Sequence, residues 1–379
     1  MKLFIFLFLI LFFTGCSTTH RGYLLSGEVP AGWNGKKAIL SITDEMILQK
    51  IDSTIIEDGK FEFKGQFEYP RYCQILLYTD ASQDVPGEII PLFVDSTAVT
   101  IVCNYSGKKP VFTINNSGTQ QEYETFLTGL NNIRAQRKEV FLQYTQAYYY
   151  GENHQEALDL ARQVSQFEKM AREYQIQYVK SHPQSVISTQ IVRNLCDGSS
   201  PLTRQEMNSL FASLSLERQN STPGKALAQF IEQKTLVVGE TFPDRELTTP
   251  DGQVKKISDC IRPGHNTLIE FWASWCQPCR GDIPQLRETY KKYHDKGFDI
   301  ISISIDKKKN DWLKALEEEK LPWEQLIERN FQSEPEKSAF KAYEGKGVPH
   351  SIFIDENGRV KNVNARGGWL DLLLQEIYD

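Results

Sequence analysis

The chain has 379 residues, a formal net charge of −6 and a hydrophobic fraction of 40%. That length is more than one core usually fills, so two or three folding units are expected. The acidic balance excludes nucleic acid as a partner, because phosphate binding wants a basic face and Lys307-Lys308-Lys309 is the only run of three basic residues.

In chain order, Met1-Lys2 brings one positive charge, Leu3 to Phe13 is unbroken apolar text, and Thr14-Gly15-Cys16 follows. Charge, apolar run and small residues in that order mark a secretion signal. The run is shorter than the roughly 20 residues a spanning helix needs. Cys16 behind Thr14-Gly15 resembles the lipobox of bacterial lipoproteins, with Phe13 in place of the usual Leu. The resemblance implies a lipoprotein signal over residues 1–16, a lipid on Cys16 and a membrane anchor that does not span. Ser17 to His20 then reads as a polar tether. The expected location is the cell envelope, lipid-anchored and facing the periplasm of a Gram-negative type of cell, where disulfides persist.

Residues 21–118 read as a small β-sandwich-like domain. Ala38 to Ile42, Phe61 to Gly65, Tyr72 to Tyr78 and Val99 to Val102 are short β-branched or aromatic runs. Gly and Asp punctuate them, as in Asp58-Gly59. No catalytic cluster and no phosphate loop appears there. Residues 119–234 change to Gln, Glu, Lys, Arg, Ala and Leu with apolar residues at helical spacing, over Glu122 to Tyr149 and Glu156 to Val179. Pro183, Pro201 and Pro223 divide this region. Thr203 with Glu206 three residues on predicts a helix start with a capping box. Tyr144, Tyr148, Tyr149 and Tyr150 form an aromatic patch, read as helix packing in preference to a partner surface.

Residues 235–379 alternate strand and helix. Strands are expected at Thr267 to Trp272, Phe298 to Ile305, Ser351 to Asp355 and Arg359 to Asn364. Helices are expected at Cys276 to His294, Asp311 to Lys320 and Asp371 to Tyr378. This is α/β text with a mixed sheet.

The chemistry sits in Glu270-Phe271-Trp272-Ala273-Ser274-Trp275-Cys276-Gln277-Pro278-Cys279-Arg280-Gly281-Asp282-Ile283-Pro284. A strand ends in a turn and a helix starts at the first cysteine. Unpaired N–H groups and the positive end of the helix dipole favour a thiolate there. Two intervening residues let the second sulfur reach the first. Pro278 suits the first turn, where no donor is needed, and Pro284 lies inside the helix. The competing readings are a structural disulfide or half of a zinc site, with Cys260 and His265 as the nearest further ligands. Redox chemistry is preferred and no metal is expected. Cys73, Cys103, Cys196 and Cys260 read equally well as thiols or disulfides, and Cys73 and Cys103 would bridge if neighbours.

Residues 236–379 resemble the thioredoxin superfamily, and within it the thiol:disulfide oxidoreductases of the TlpA/ResA type. Phe271-Trp272-Ala273-Ser274-Trp275-Cys276 with Pro278-Cys279-Arg280 carries the likeness. Pro284 matches the kink proline, Glu270 the buried acidic position, and Asp282 a second acidic position of the TlpA/ResA type. Gly347-Val348-Pro349 matches the cis-proline loop. Gln277 replaces the commoner Gly, and His350 replaces the usual Thr, either facing the substrate groove or serving only as a loop residue. A small β domain of unknown function and a helical stretch often precede this domain in membrane-anchored bacterial lipoproteins, and Asp58 to Gly65 looks like part of one.

The resemblance implies a fold class of an α/β thioredoxin-like C-terminal domain preceded by a small all-β domain and a helical segment. It implies that Cys276 attacks substrate disulfides, Cys279 resolves the mixed disulfide, and Glu270 or Asp282 takes the proton. Trp275, Val348 and Pro349 would line the substrate groove. No cofactor beyond the redox cysteine pair is expected. The expected partners are disulfide-bearing substrate proteins, a membrane electron donor and, through the lipid, a membrane. A peroxiredoxin-type peroxidase and a partner-binding lipoprotein with an accessory redox domain are the alternatives.

Overall fold

A computed structural model describes residues 22–379 apart from 45–46, 79–85, 96–97, 107–108, 116, 152, 198–201 and 329–335. The signal read in residues 1–16, Cys16 with it, the tether after it and Pro201 lie outside the described residues. The chain forms two compact units that divide between Thr125 and Phe126.

The first unit is all-β before its closing helical turn. Its strands are β1 (Tyr23–Glu28), β2 (Lys37–Asp44), β3 (Ile47–Ile55), β4 (Lys60–Gly65), β5 (Arg71–Leu77), β6 (Glu88–Val94), β7 (Ala98–Ser106) and β8 (Lys109–Asn115). They make two four-stranded sheets, β4-β1-β7-β8 and β3-β2-β5-β6. Alternation drives the burial: in β4, Phe61 and Phe63 point inward while Lys60, Glu62 and Lys64 stay in water. Leu25, Leu40, Ile75, Leu92 and Ile101 from both sheets share one apolar core. Asp58 and Gly59, at φ 47° and 71°, turn the chain into β4, the left-handed pair a tight hairpin turn requires.

The helical segment contains α1 (Gly118–Tyr150), α2 (His154–Ser181), α3 (Val186–Asp197), α4 (Arg204–Ala212), α5 (Leu216–Asn220) and α6 (Thr222–Gln233). Thr203 and Glu206 form the expected reciprocal cap of α4. Pro183 follows the end of α2, whereas Pro223 sits in the first turn of α6 and starts that helix.

The α/β part of the second unit is built from β9 (Glu246–Thr248), β10 (Val254–Lys256), β11 (Asn266–Trp272), α7 (Gln277–Tyr293), β12 (Phe298–Ser304), α8 (Lys309–Glu319), β13 (Glu324–Ile327), α9 (Ala339–Ala342), β14 (His350–Ile354), β15 (Val360–Val363) and α10 (Gly368–Tyr378). Its sheet runs β10-β9-β13-β12-β11-β14-β15. β11, β12 and β13 are parallel neighbours, and β14 and β15 complete the sheet antiparallel. β12 is buried at all seven positions, as a central strand covered on both faces must be. This is a thioredoxin-like arrangement preceded by an all-β region and a helical segment.

The helical segment packs directly on this α/β part. Trp369 on α10 meets Tyr144 with ring centroids 4.6 Å apart, and its indole N–H donates to Ser165 on α2 at 3.0 Å. Gly367 and Gly368 leave the space: a Cβ on Gly367 would fall 2.6 Å from the Tyr144 hydroxyl, and one on Gly368 3.0 Å from its ring. The Gly368 N–H donates to that hydroxyl at 2.9 Å.

Candidate active site

β11 delivers the chain to the site and ends at Trp272. The turn that follows is fixed by a buried carboxylate. Asp306 accepts from the Ser274 N–H at 2.8 Å and the Ser274 hydroxyl at 2.7 Å, with Ser304 donating at 2.8 Å. Beyond the turn, Trp275 is 63% exposed and Cys276 caps α7. Its Sγ accepts the backbone N–H of Cys279 at 3.2 Å. A helix N-terminus offers unpaired donors and partial positive charge, and here the sulfur takes one of those donors. Cys276 and Cys279 are joined as a disulfide, and both are buried. Pro278 occupies the first turn of α7, and Pro284 lies within it.

The Val348–Pro349 peptide is cis. Val348 packs on the apolar cluster that contains both cysteines. Pro349 lines a pocket with Glu270, Asp282, His350 and Arg366.

Glu270 points from β11 into that pocket. The Ser302 hydroxyl donates to it at 2.8 Å and itself receives the Trp323 indole N–H at 2.7 Å. Burial pushes the Glu270 carboxyl up to about 7; the Ser302 donor works against that, the Asp282 charge adds to it, and the Arg366 guanidinium reduces it. Asp282, three residues beyond Cys279, lies one helical turn along the same face of α7. It is ion-paired with Arg366 and receives the Tyr149 hydroxyl at 2.9 Å. Two partners from outside α7 thus enclose Asp282. His350 opens β14 as a buried strand residue. Its ring reaches the Tyr343 carbonyl at 2.7 Å through Nε2 and the Asn364 side chain at 2.9 Å through Nδ1, and burial holds its pKa below the usual value.

Comparison with known proteins places this geometry. Residues 237–367 match the Redoxin family model, and residues 23–123 match a domain of unknown function, DUF4369. The thiol-disulfide oxidoreductase ResA of Geobacillus thermodenitrificans is 31% identical over 137 residues, covering 36% of this chain and 74% of the relative. This chain belongs to the thiol-disulfide oxidoreductases of the thioredoxin superfamily. The ResA of Geobacillus kaustophilus is likewise 31% identical, over 134 residues, 35% of the oxidoreductase described here and 72% of the relative. Among solved structures, the thioredoxin domain of a thiol-disulfide oxidoreductase from Bacteroides vulgatus is 30% identical, with a TM-score of 0.34, covering 38% of this oxidoreductase and 99% of that chain.

Among the described residues of the oxidoreductase, Cys73, Cys103, Cys196 and Cys260 are free thiols. The bridge considered for Cys73 and Cys103 is absent: Cys73 is on β5 and Cys103 on β7, strands of different sheets. His265, weighed as a zinc ligand, faces Asp299 at 2.9 Å, and the Cys260 sulfur lies against the Lys256 carbonyl at 3.8 Å.

Three residues at the site had no signal in the motif. Asp306 ends the strand text Ser302-Ile303-Ser304-Ile305, where a polar residue looks like an ordinary strand exit. Arg366 stands beside Gly367-Gly368, a pair that marks close backbone approach without naming what approaches. Tyr149 belonged to the tyrosine patch, and only the fold brings it to α7.

Proposed function

We propose that this oxidoreductase is held in the cell envelope by a lipid on Cys16, faces the periplasm, and reduces disulfides of substrate proteins with Cys276 and Cys279. The observation that carries the chemistry is the Cys276 sulfur accepting a backbone N–H at the start of α7, an environment that favours the thiolate. In the dithiol form, the Cys276 thiolate attacks one sulfur of the substrate disulfide. A mixed disulfide forms, and the other substrate sulfur leaves as a thiolate and takes a proton. Cys279 then gives its proton to Glu270, attacks the Cys276 sulfur and releases the second substrate thiolate. Two electrons pass to the substrate, and the pair is left as the disulfide. A membrane electron donor returns the pair to the dithiol, so no other cofactor enters the cycle.

Glu270 suits the proton because a carboxyl near 7 accepts and returns it at neutral pH. Asp282 supports it as the neighbouring charge. Trp275, exposed beside Cys276, and the Val348-Pro349 backbone would seat an extended substrate segment, whose main chain pairs with the Val348 edge.

The test is insulin reduction by the full chain with dithiothreitol as the electron source. The parent accelerates the reaction, and Cys279→Ser accumulates mixed disulfides that a non-reducing gel resolves. A Cys279→Ser protein that captures nothing would overturn the order of attack. For location, Cys16→Ser should move the protein from the membrane fraction to the soluble periplasm; an unchanged membrane fraction would remove the lipid from the account.

A further inference from the structure

The helical segment places one side chain on the catalytic helix. Tyr149, in the last turn of α1, donates its hydroxyl to Asp282 Oδ1 at 2.9 Å. Arg366, in the loop between β15 and α10, pairs with the other carboxylate oxygen, Oδ2. Asp282 is thereby held by a neutral donor on one oxygen and a cation on the other. The contact is built in from both sides. The end of α1 is seated by Tyr144, whose hydroxyl accepts from Gly368 and whose ring stacks edge-on against Trp369. Gly367 and Gly368 leave the room that seat needs. Arg366 immediately precedes the two glycines, so one short loop both receives the helix and supplies the cation.

We propose that Tyr149 is a positioning residue of the oxidoreductase: with Arg366 it fixes the direction of the Asp282 carboxylate beside Glu270, so that resolution of the mixed disulfide by Cys279 depends on a side chain outside the thioredoxin-like fold. The inference rests on Glu270 receiving the Cys279 proton. Asp282 and Glu270 line the same pocket, and charge at one acts on the other. The groups that face Asp282 are Tyr144, Tyr148 and Tyr149 from α1, Glu270 from β11 and Arg366 from the loop before α10. His350 and Asp371 complete the titratable lining of the pocket.

The sign follows from Coulomb's law. A fixed negative charge at Asp282 strengthens Glu270 as a base, and Asp282→Asn weakens it. Tyr149→Phe removes the donor that fixes the direction of that carboxylate and lets it turn from Glu270, so it acts in the same sense but less strongly.

The experiment uses the full chain and follows the second step alone. The reduced enzyme is reacted with 5,5′-dithiobis(2-nitrobenzoate). The first release of thionitrobenzoate reports Cys276 attack, and the second reports Cys279 resolution, across pH 5 to 9. Tyr149→Phe should leave the first release as in the parent. It should slow the second about threefold and lower its pH midpoint by about half a unit, part of the way to Asp282→Asn. Adding Tyr149→Phe to Asp282→Asn should change nothing more, because the hydroxyl acts through that carboxylate. Tyr150→Phe, a position 76% exposed, should match the parent throughout. A Tyr149→Phe profile identical to the parent's would overturn the proposal, as would additive effects in the double variant. If Glu270→Gln abolishes the pH dependence while Asp282→Asn and Tyr149→Phe do not alter it, the inference fails and the Glu270 reading stands. If Glu270→Gln also keeps the parent profile, the base assignment itself falls.

Discussion

Cys73 and Cys276 are both buried, yet the backbone gives them opposite surroundings. Cys73 points into the sheet core of the first unit, between strands whose N–H groups are spent on each other. Burial pushes its thiol up to about 12 against the Arg71 charge, which acts to lower it. Cys276 stands where a strand has ended and a helix has begun, so a backbone N–H of the first helical turn, that of Cys279, is aimed at its sulfur. On the proposed mechanism, burial does not decide whether a cysteine reacts. What decides is whether the surrounding backbone has unspent hydrogen-bond donors to offer a negative sulfur.

The strongest break of that contrast is Cys276→Ser. Insulin reduction should fall on the order of 10³-fold or more, because an alcohol does not form the thiolate that the helix end stabilises. A Cys276→Ser protein as active as the parent would mean that another sulfur is the nucleophile. Next in size is Glu270→Gln, expected to slow release of a trapped mixed disulfide about 10²-fold. In the parent, that step should quicken as pH rises through about 7, because the carboxyl must lose its proton before it can accept one. The same raised pKa bears on stability. The folded state binds the Glu270 proton more tightly than the unfolded chain, so Glu270 favours folding at low pH, and that contribution is lost as pH rises through 7. Thermal melts should therefore show Glu270→Gln gaining on the parent between pH 5 and pH 8; a constant difference would put the carboxyl at its ordinary value.

A smaller effect is expected at the turn before Cys276. Asp306→Ala leaves the Ser274 N–H and hydroxyl without their acceptor, at a cost of about 1–3 kcal/mol. Activity should drop several-fold while iodoacetamide still finds Cys276 first. Loss of that selectivity would show that the turn, and not the helix end, governs the sulfur.

These differences also explain how much was readable beforehand. The redox motif was legible because its parts are local: strand, turn, first cysteine, proline, second cysteine. So were β2, β4, β5 and β7, where apolar residues cluster or alternate. β3, β6 and β8 were missed, although β4, a sheet edge like them, was read from its alternating Phe61 and Phe63. An edge strand tolerates polar residues and proline, as at Pro91 and Pro110, and these weaken the pattern. At the site, Glu270 could be picked out by its match to the family's buried acidic position, whereas the partners of Asp282 could not. Tyr149 and Arg366 are 133 and 84 residues away in the chain, and no periodicity encodes a contact of that range.

The weakest perturbation probes the other side of the contrast. Cys73→Ala removes one sulfur from a fully buried position on β5 and leaves the helix end of the second unit untouched. Insulin reduction should stay at the parent's rate, and urea denaturation of the first unit should shift by about 1 kcal/mol from the lost packing. The informative reading is the modification rate of the native thiol. With the donors around it already paired, Cys73 should resist iodoacetamide at pH 8 until urea opens the sheet, while Cys276 in the reduced protein is alkylated at once. If Cys73 in the folded protein reacts as fast as Cys276, donor supply is not what separates the two sulfurs, and the account of the nucleophile would have to rest on solvent access instead.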